Sequence, residues 1–329
     1  MAYSTSTPIS VNSTTFSVNL PLLSLFSNMF RAYADPVLCL MALFGNIGVL
    51  TAMARVTEKS FNRSVRFYYS LLAIDELLMV GGCVFAIDFL EIGISYLTGN
   101  FRILTIDGAF WSCKFLITVW EGLYCADGFI LVCIGIERLI AITWPLRAKT
   151  ILSLRFSALL TVCVVGGVLV VFLPQTLLVY TLTTVGCTYD LSVFIVYEYI
   201  TLENILPVIH SLFSFSITMY LIVTLVRSKR VQKSLVKGAG AAISAREISN
   251  VLTLLALDVS HLVIFIPYAC LACYWLISMA LEGTLVIQIY STLDIFYAVR
   301  PVPFSLTFFI HFFRSADFRV ALFGKRFRF

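Results

Sequence analysis

The chain has 329 residues, of which 60% are hydrophobic and only 12% charged, with a formal net charge of +5. Soluble domains run at about 25% charged, so a soluble globule of this composition would expose far too much apolar surface, and a disordered chain would be polar and charge-rich. Transmembrane β-barrels alternate apolar and polar residues and read only weakly hydrophobic, which leaves a polytopic helical membrane protein.

Residues 1–30 are rich in Ser, Thr and Asn and carry no positive charge. They lack the basic start and apolar core of a cleavable signal and read as a polar tail, with an Asn12-Ser13-Thr14 glycosylation sequon. Seven apolar stretches follow, Tyr33–Met53, Phe67–Ile92, Phe110–Ile136, Phe156–Tyr180, Val193–Val226, Val251–Ile277 and Leu285–Phe312. Each is long enough to span a bilayer, which takes roughly 20 apolar residues. The expected organisation is a tail over 1–30, a membrane domain over 31–313 and a short segment over 314–329.

Charge fixes an expected orientation. Arg55, Lys59, Arg63 and Arg66 follow the first stretch; Arg138, Arg147, Lys149 and Arg155 follow the third. Arg227, Lys229, Arg230, Lys233, Lys237 and Arg246 follow the fifth, and Arg314, Arg319, Lys325, Arg326 and Arg328 the seventh. These are 19 of the 23 Lys and Arg, all on one side; Arg31, Arg102 and Lys114 lie on the other, and Arg300 is inside the seventh stretch. Positive residues stay cytoplasmic, so the N-terminus is expected outside and the C-terminus inside. Because the basic residues flank hydrophobic spans, the positive charge is a topology signal facing the lipid bilayer, and no nucleic-acid partner is expected.

The third stretch ends in Ile136-Glu137-Arg138-Leu139, followed by Trp144-Pro145-Leu146-Arg147. Cys113 lies 25 residues before Arg138, and Cys187 lies between the fourth and fifth stretches. Gly45-Asn46-Ile47-Gly48-Val49 is in the first stretch, Leu71 and Asp75 in the second, Pro207 in the fifth, Pro267 in the sixth, and Phe313-Arg314 follows the seventh. In order and placement this set resembles the rhodopsin-like (class A) family of G-protein-coupled receptors, over nearly the whole chain. Leu139 stands where that family has Tyr, Phe265 where it usually has Trp, and the fourth stretch lacks its usual Trp. The seventh-helix Asn-Pro-x-x-Tyr is degraded: both Val302-Pro303-Phe304-Ser305-Leu306 and Arg300-Pro301-Val302-Pro303-Phe304 can be aligned with it. The chain reads as a divergent member, of a peptide-type or a chemosensory kind.

The resemblance implies an all-α membrane protein, a seven-transmembrane helix bundle with a short amphipathic eighth helix, in the plasma membrane. It implies a non-enzymatic receptor that couples an extracellular ligand to a heterotrimeric G protein. Glu137 and Arg138 would form the switch, with Glu137 holding Arg138 at rest, and Pro145, Pro267 and Pro303 would shape the coupling face. Cys113 and Cys187 would be disulfide-bonded. Retinal is excluded, since no Lys occurs between Lys237 and Lys325, and no cofactor is expected. No Cys-x-x-Cys pairs with His at ligand spacing, so no metal site is expected either. A transporter or channel is the alternative, but the two halves show no internal repeat.

Ionisable residues inside a span are costly and mark function. With Asn46, the acids Asp75 and Asp127 form an expected core polar network, and two carboxylates in low dielectric need a counter-charge. Arg300 is the obvious supplier: either it pairs with Asp75 and Asp127 in place of a sodium ion, or it pairs elsewhere, Asp294 and Asp258 being nearest in sequence. Amine receptors of the family place an Asp 18 residues before the Arg, where this chain has Trp120. A small amine is therefore disfavoured, although Glu121 is adjacent. The pocket candidates are Trp120, Glu121, Glu203, Phe265, Tyr268 and Gln288. Glu91, Asp107, Asp190, Glu198, Glu203 and Glu282 fall in the outer half, and a mouth so acidic attracts a cationic or amidated peptide, unless those acids are simply solvated or paired. His261, in the sixth stretch, is expected in an interhelical hydrogen bond or as a polar switch element.

Overall fold

The structure is a computed structural model that describes residues 20–56, 63–99, 117–144, 147–148, 151–174, 180–183, 186–189, 206–235, 245–281 and 286–324. Among these, six helical segments are long and apolar enough to cross a membrane: Leu22–Arg55, Arg63–Thr98, Leu154–Phe172, Val208–Arg227, Val251–Tyr274 and Thr292–Arg314. They are the first, second, fourth, fifth, sixth and seventh spans. The third is Ile117–Thr143, a 27-residue helix buried along most of its length. It runs through the middle of the bundle, packed against the second, fourth, fifth and sixth spans. Outward faces stay apolar, with Phe44, Leu159, Val162, Val170 and Val263 well exposed. Lipid tails solvate such faces and water does not.

Local sequence explains where the spans depart from hydropathy. The first span starts at Leu20 rather than Tyr33 and passes through a π-helical turn, Phe30–Ala34, into Asp35–Arg55. The polar Ser27 and Arg31 hid this extension, because both are satisfied inside the bundle. The second span changes from α-helix (Arg63–Glu76) to π-helix (Leu77–Gly93) and ends at Gly99 in the left-handed region, φ 78°. Tyr180, expected at the end of the fourth span, instead opens a hairpin, Tyr180–Thr183 against Gly186–Tyr189, with Leu182 opposite Cys187.

The seventh span breaks at Arg300-Pro301, between Val286–Val299 and Val302–Arg314. Pro301 and Pro303 have no N–H to donate. The Tyr297 carbonyl accepts instead from the Arg300 amide at 3.3 Å, a tighter turn that swings the Arg300 side chain inward. A short helix, Ala316–Phe323, follows, capped by the Ser315 hydroxyl accepting from the Phe318 amide at 3.2 Å. Phe318 is fully buried and stacks on His311, which anchors this eighth helix to the bundle.

The third and fifth spans touch closely at Gly128. A Cβ there would fall on the imidazole of His210, so glycine sets how near the two helices come. Gly128→Ala should lower the thermal unfolding midpoint of the detergent-solubilised protein, by an overpacking cost of about 1–3 kcal/mol. Adding His210→Ala should recover part of that loss, which a thermal-shift series on the two single variants and the double variant checks.

Candidate ligand pocket and coupling face

Among the described residues, four polar clusters lie inside the bundle. The first is at the end that carries Ser27 and Asp294. Arg31 is buried, with Nε 3.2 Å from Asp88 Oδ1, Nη2 2.7 Å from Asp294 Oδ1 and Nη1 donating to the Ser27 hydroxyl at 2.7 Å. One guanidinium thus joins the first, second and seventh spans. Gly93 lets the second span approach: a Cβ there would come within 2.8 Å of the Arg31 carbonyl oxygen. Asp35, one turn along the first span, is fully buried, and neither carboxylate oxygen has a hydrogen-bond partner among the described residues. Glu91, expected at an open mouth, is buried too.

The second cluster corrects the expected role of Arg300. Its guanidinium is held by Glu121 of the third span, Nη2 to Oε1 at 3.0 Å and Nη1 to Oε2 at 3.5 Å, and both side chains are buried. Three rings cage it, with centroids at 4.1 Å for Tyr124, 4.6 Å for Trp120 and 4.9 Å for Tyr297. Arginine fits such a box because its flat cation stacks on ring faces while its N–H fork engages a carboxylate. Arg300 thus pairs elsewhere than with Asp75 and Asp127, and with neither of the acids nearest to it in sequence. It does not reach Asp75 or Asp127 to replace a sodium ion, and the other two candidates are engaged elsewhere. Asp294 takes Arg31, and Asp258 accepts from the Ser214 and Thr218 hydroxyls of the fifth span, both at 2.6 Å.

The third cluster is the expected core network without Arg300. Asn46, Asp75 and Asp127 are all buried. Asp75 and Asp127 lie close enough for their charges to interact. Glu76 joins them, accepting from the Thr307 hydroxyl at 2.5 Å and lying beside Asn46. The counter-group is His261, whose Nε2 stands 3.1 Å from Asp127 Oδ2 while Nδ1 is 2.9 Å from the Leu257 carbonyl oxygen. The imidazole thus links the sixth span to the third. Phe265 lies one turn further along, in edge contact with Tyr124 at 4.9 Å, and Phe304 packs on His261 at 5.1 Å. Tyr268 packs on Tyr297 at 5.3 Å. Of the expected pocket residues, Trp120, Glu121, Phe265 and Tyr268 therefore share one buried aromatic region.

The fourth cluster is at the opposite end. Glu137 is buried near Ser64, and Arg138 is half-buried near Tyr69. No ion pair of 4.0 Å or less joins them among the described residues, but the Arg138 charge lies close enough to act on the Glu137 carboxyl. Glu137 Oε2 and Arg138 Nη2 are buried atoms without a hydrogen-bond partner among the described residues. Pro267 lies inside the sixth helix and Pro303 in the first turn of Val302–Arg314. Asn12, Cys113, Pro145 and Glu203 lie outside the described residues, and of Cys187 and Gln288 only the backbone is described. The Cys113–Cys187 bond and the sequon thus stay sequence expectations.

Sequence reasoning missed Arg31, Asp88, Glu76 and the Tyr124–Tyr297 cage. The signal existed for Asp88 and Glu76, each an ionisable residue inside an apolar stretch. Arg31 sat just before the assumed start of the first span and was counted as a surface charge.

The profile of the seven-transmembrane receptor (rhodopsin family) matches residues 45–305. With the bundle and its Glu137–Arg138 end, this places the chain in the rhodopsin-like (class A) G-protein-coupled receptors, a receptor family and not an enzyme family. The transporter or channel alternative is thereby set aside. The chain is also similar to C-X-C chemokine receptor type 5 of Mus musculus, 27% identical over 160 residues, which is 47% of this chain and 39% of that receptor. The match thus spans well under half of that relative's length.

Removing Arg31 would take from buried Asp88 the guanidinium that stands 3.2 Å from it. Losing one partner of a buried pair costs about 3–5 kcal/mol. Arg31→Gln should therefore sharply lower the unfolding midpoint, and Asp88→Asn in the same chain should restore much of it. Thermal unfolding of the double-mutant set reads the coupling, and strictly additive losses would show that the pair is not one unit.

Proposed function

We propose that the chain is a plasma-membrane receptor, N-terminus outside and C-terminus in the cytoplasm, that converts binding of an extracellular ligand into heterotrimeric G-protein activation. The orientation rests on the 19 basic residues that share the Arg138 side. The tail over 1–30, whose last residues from Leu20 already belong to the first helix, is outside. The segment over 314–329, carrying the eighth helix, is inside.

The observation that carries the coupling role is Arg138 itself, at the basic end of the central span, with Nη2 buried and unpartnered among the described residues. A permanently charged fork in that state is ready to donate to backbone carbonyls of an incoming helix. An outward swing of the sixth span, hinged at Pro267, opens the space for it. Glu137 limits the cost of holding the cation nearby without an ion pair.

The ligand side is the buried region around Trp120, Glu121, Phe265 and Tyr268, with Glu203 and Gln288 as further candidates by sequence. The Arg300–Glu121 pair forms its floor. A cationic or amidated peptide competes with Arg300 for Glu121, and such a competition biases a two-state bundle. The acid excess of the outer loops draws the same charge. Similarity to a protein named as a chemokine receptor supports the peptide branch over the chemosensory one.

Arg138→Ala should abolish G-protein activation, read as nucleotide exchange or a second-messenger signal in cells, while surface expression and ligand binding persist. Wild-type signalling by Arg138→Ala at equal surface density would refute the assigned role.

A further inference from the structure

Asp88 is within charge range of both buried arginines, Arg31 and Arg300. Its Oδ1 takes Arg31 at 3.2 Å, while its Oδ2 is a buried atom without a hydrogen-bond partner among the described residues. The packing of the spans brings these groups together. Val84 and Ile87 of the second span share one core with Trp120 and Tyr124 of the third, and the Glu121 charge reaches Cys83 of the second. Arg300 itself is held on the third span by Glu121, at 3.0 Å and 3.5 Å, inside the cage of Trp120, Tyr124 and Tyr297. Four acids, Asp35, Asp88, Asp294 and Glu121, thus share two guanidinium groups. Neither carboxylate oxygen of fully buried Asp35 has a partner among the described residues. Acid is in excess in this half of the bundle, and a further cation would relieve it.

We propose that Arg300 has two seats: a guanidinium group of the ligand takes Glu121 and the aromatic cage, and Arg300 crosses to the open oxygen of Asp88. This rests on the reading of the Glu121 region as the ligand side. The cage selects the ligand group. Three ring faces around a carboxylate already accommodate one flat cationic fork, and they fit the same fork on an arginine side chain of a peptide. A neutral amide brings no charge to Glu121 and leaves Arg300 in place. Asp88 makes the exchange possible. A buried arginine that loses Glu121 has to find another anion. A carboxylate accepts at both oxygens, so Asp88 keeps Arg31 on Oδ1 and takes Arg300 on Oδ2. No proton moves, and both arginines stay charged. The seventh span exchanges its tie to the third span for one to the second. That releases the third span, which carries Arg138 at its other end. Asp88 is then a positioning residue that decides whether a bound cation is read as a signal.

The test uses the full chain in nanodiscs, with L-argininamide as the guanidinium probe and L-citrullinamide as its uncharged counterpart. In Arg300→Ala the cage is vacated and Glu121 has lost its cation. Argininamide should raise the unfolding midpoint of that variant, and citrullinamide should not. Equal effects of the two would remove the guanidinium seat, and with it the reading of Glu121 as the ligand's anchor. The second seat is read without any ligand, in Glu121→Gln, which keeps the shape of the site and so stays testable where Arg300→Ala yields no folded protein. Its loss of midpoint should deepen on adding Asp88→Asn, whose amide oxygen still accepts from Arg31, by more than the sum of the two single losses. Glu121→Gln should also raise basal nucleotide exchange on a G protein, and Asp88→Asn should cancel that rise. Strictly additive losses would overturn the second seat, as would basal exchange that Asp88→Asn leaves raised. Rescue by argininamide together with additive losses would leave the ligand reading standing and remove only the crossing of Arg300.

Discussion

A charge in the interior of a membrane bundle has no water to turn to, and most of this architecture follows from how each one is answered. Apolar contact cannot hold spans together specifically, because lipid tails are as good a solvent for Leu and Val as another helix is. Polar side chains can. Arg31 joins the first, second and seventh spans through Asp88 and Asp294. Glu121 and Arg300 join the third to the seventh. Asp127 and His261 join the third to the sixth, Asp258 joins the sixth to the fifth through Ser214 and Thr218, and Glu76 with Thr307 joins the second to the seventh. Among the described residues, the fourth span, whose window is 12% buried, stands apart from these clusters, though Ser157 bonds Ser64 at its end.

These links are unevenly placed. They concentrate from the middle of the bundle to the Arg31 end, whereas Glu137 and Arg138 keep buried atoms without partners among the described residues. A bundle fixed by ion pairs in one half and left less satisfied in the other has an obvious direction in which to open. The sixth span sits between the two regimes, tied by Asp258 and His261 below Pro267. Under the proposed reading, a ligand that disturbs the Glu121–Arg300 pair acts on the same third span that carries Arg138 at its other end.

The class of fold was legible in the sequence for a simple reason. Hydropathy over some 20 residues is a sum, and it survives errors in any single residue. The Glu137–Arg138 pair was legible because a motif read along one helix needs no partner. How closely Glu137 holds Arg138 is not a matter of the motif, because adjacent residues on a helix do not face each other. The start of the first span failed because polarity at Ser27 and Arg31 imitates a surface when the partners are far away in sequence.

By itself, then, the sequence determined that this chain spans a membrane as a helical receptor, and that certain acids and bases had to be neutralised inside it. It could not decide which with which. Asp127, Asp75, Asp258 and Asp294 were all open to Arg300 by charge, and the one that holds it, Glu121, is 179 residues away. Coulomb attraction is set by distance in space and by which faces the helices present, and both depend on the proline break at Arg300-Pro301 and on the rotation of every neighbouring span. Only tertiary packing fixes those, and it gave Arg300 to an aromatic cage on the third span and Asp294 to an arginine that the sequence had seemed to leave outside.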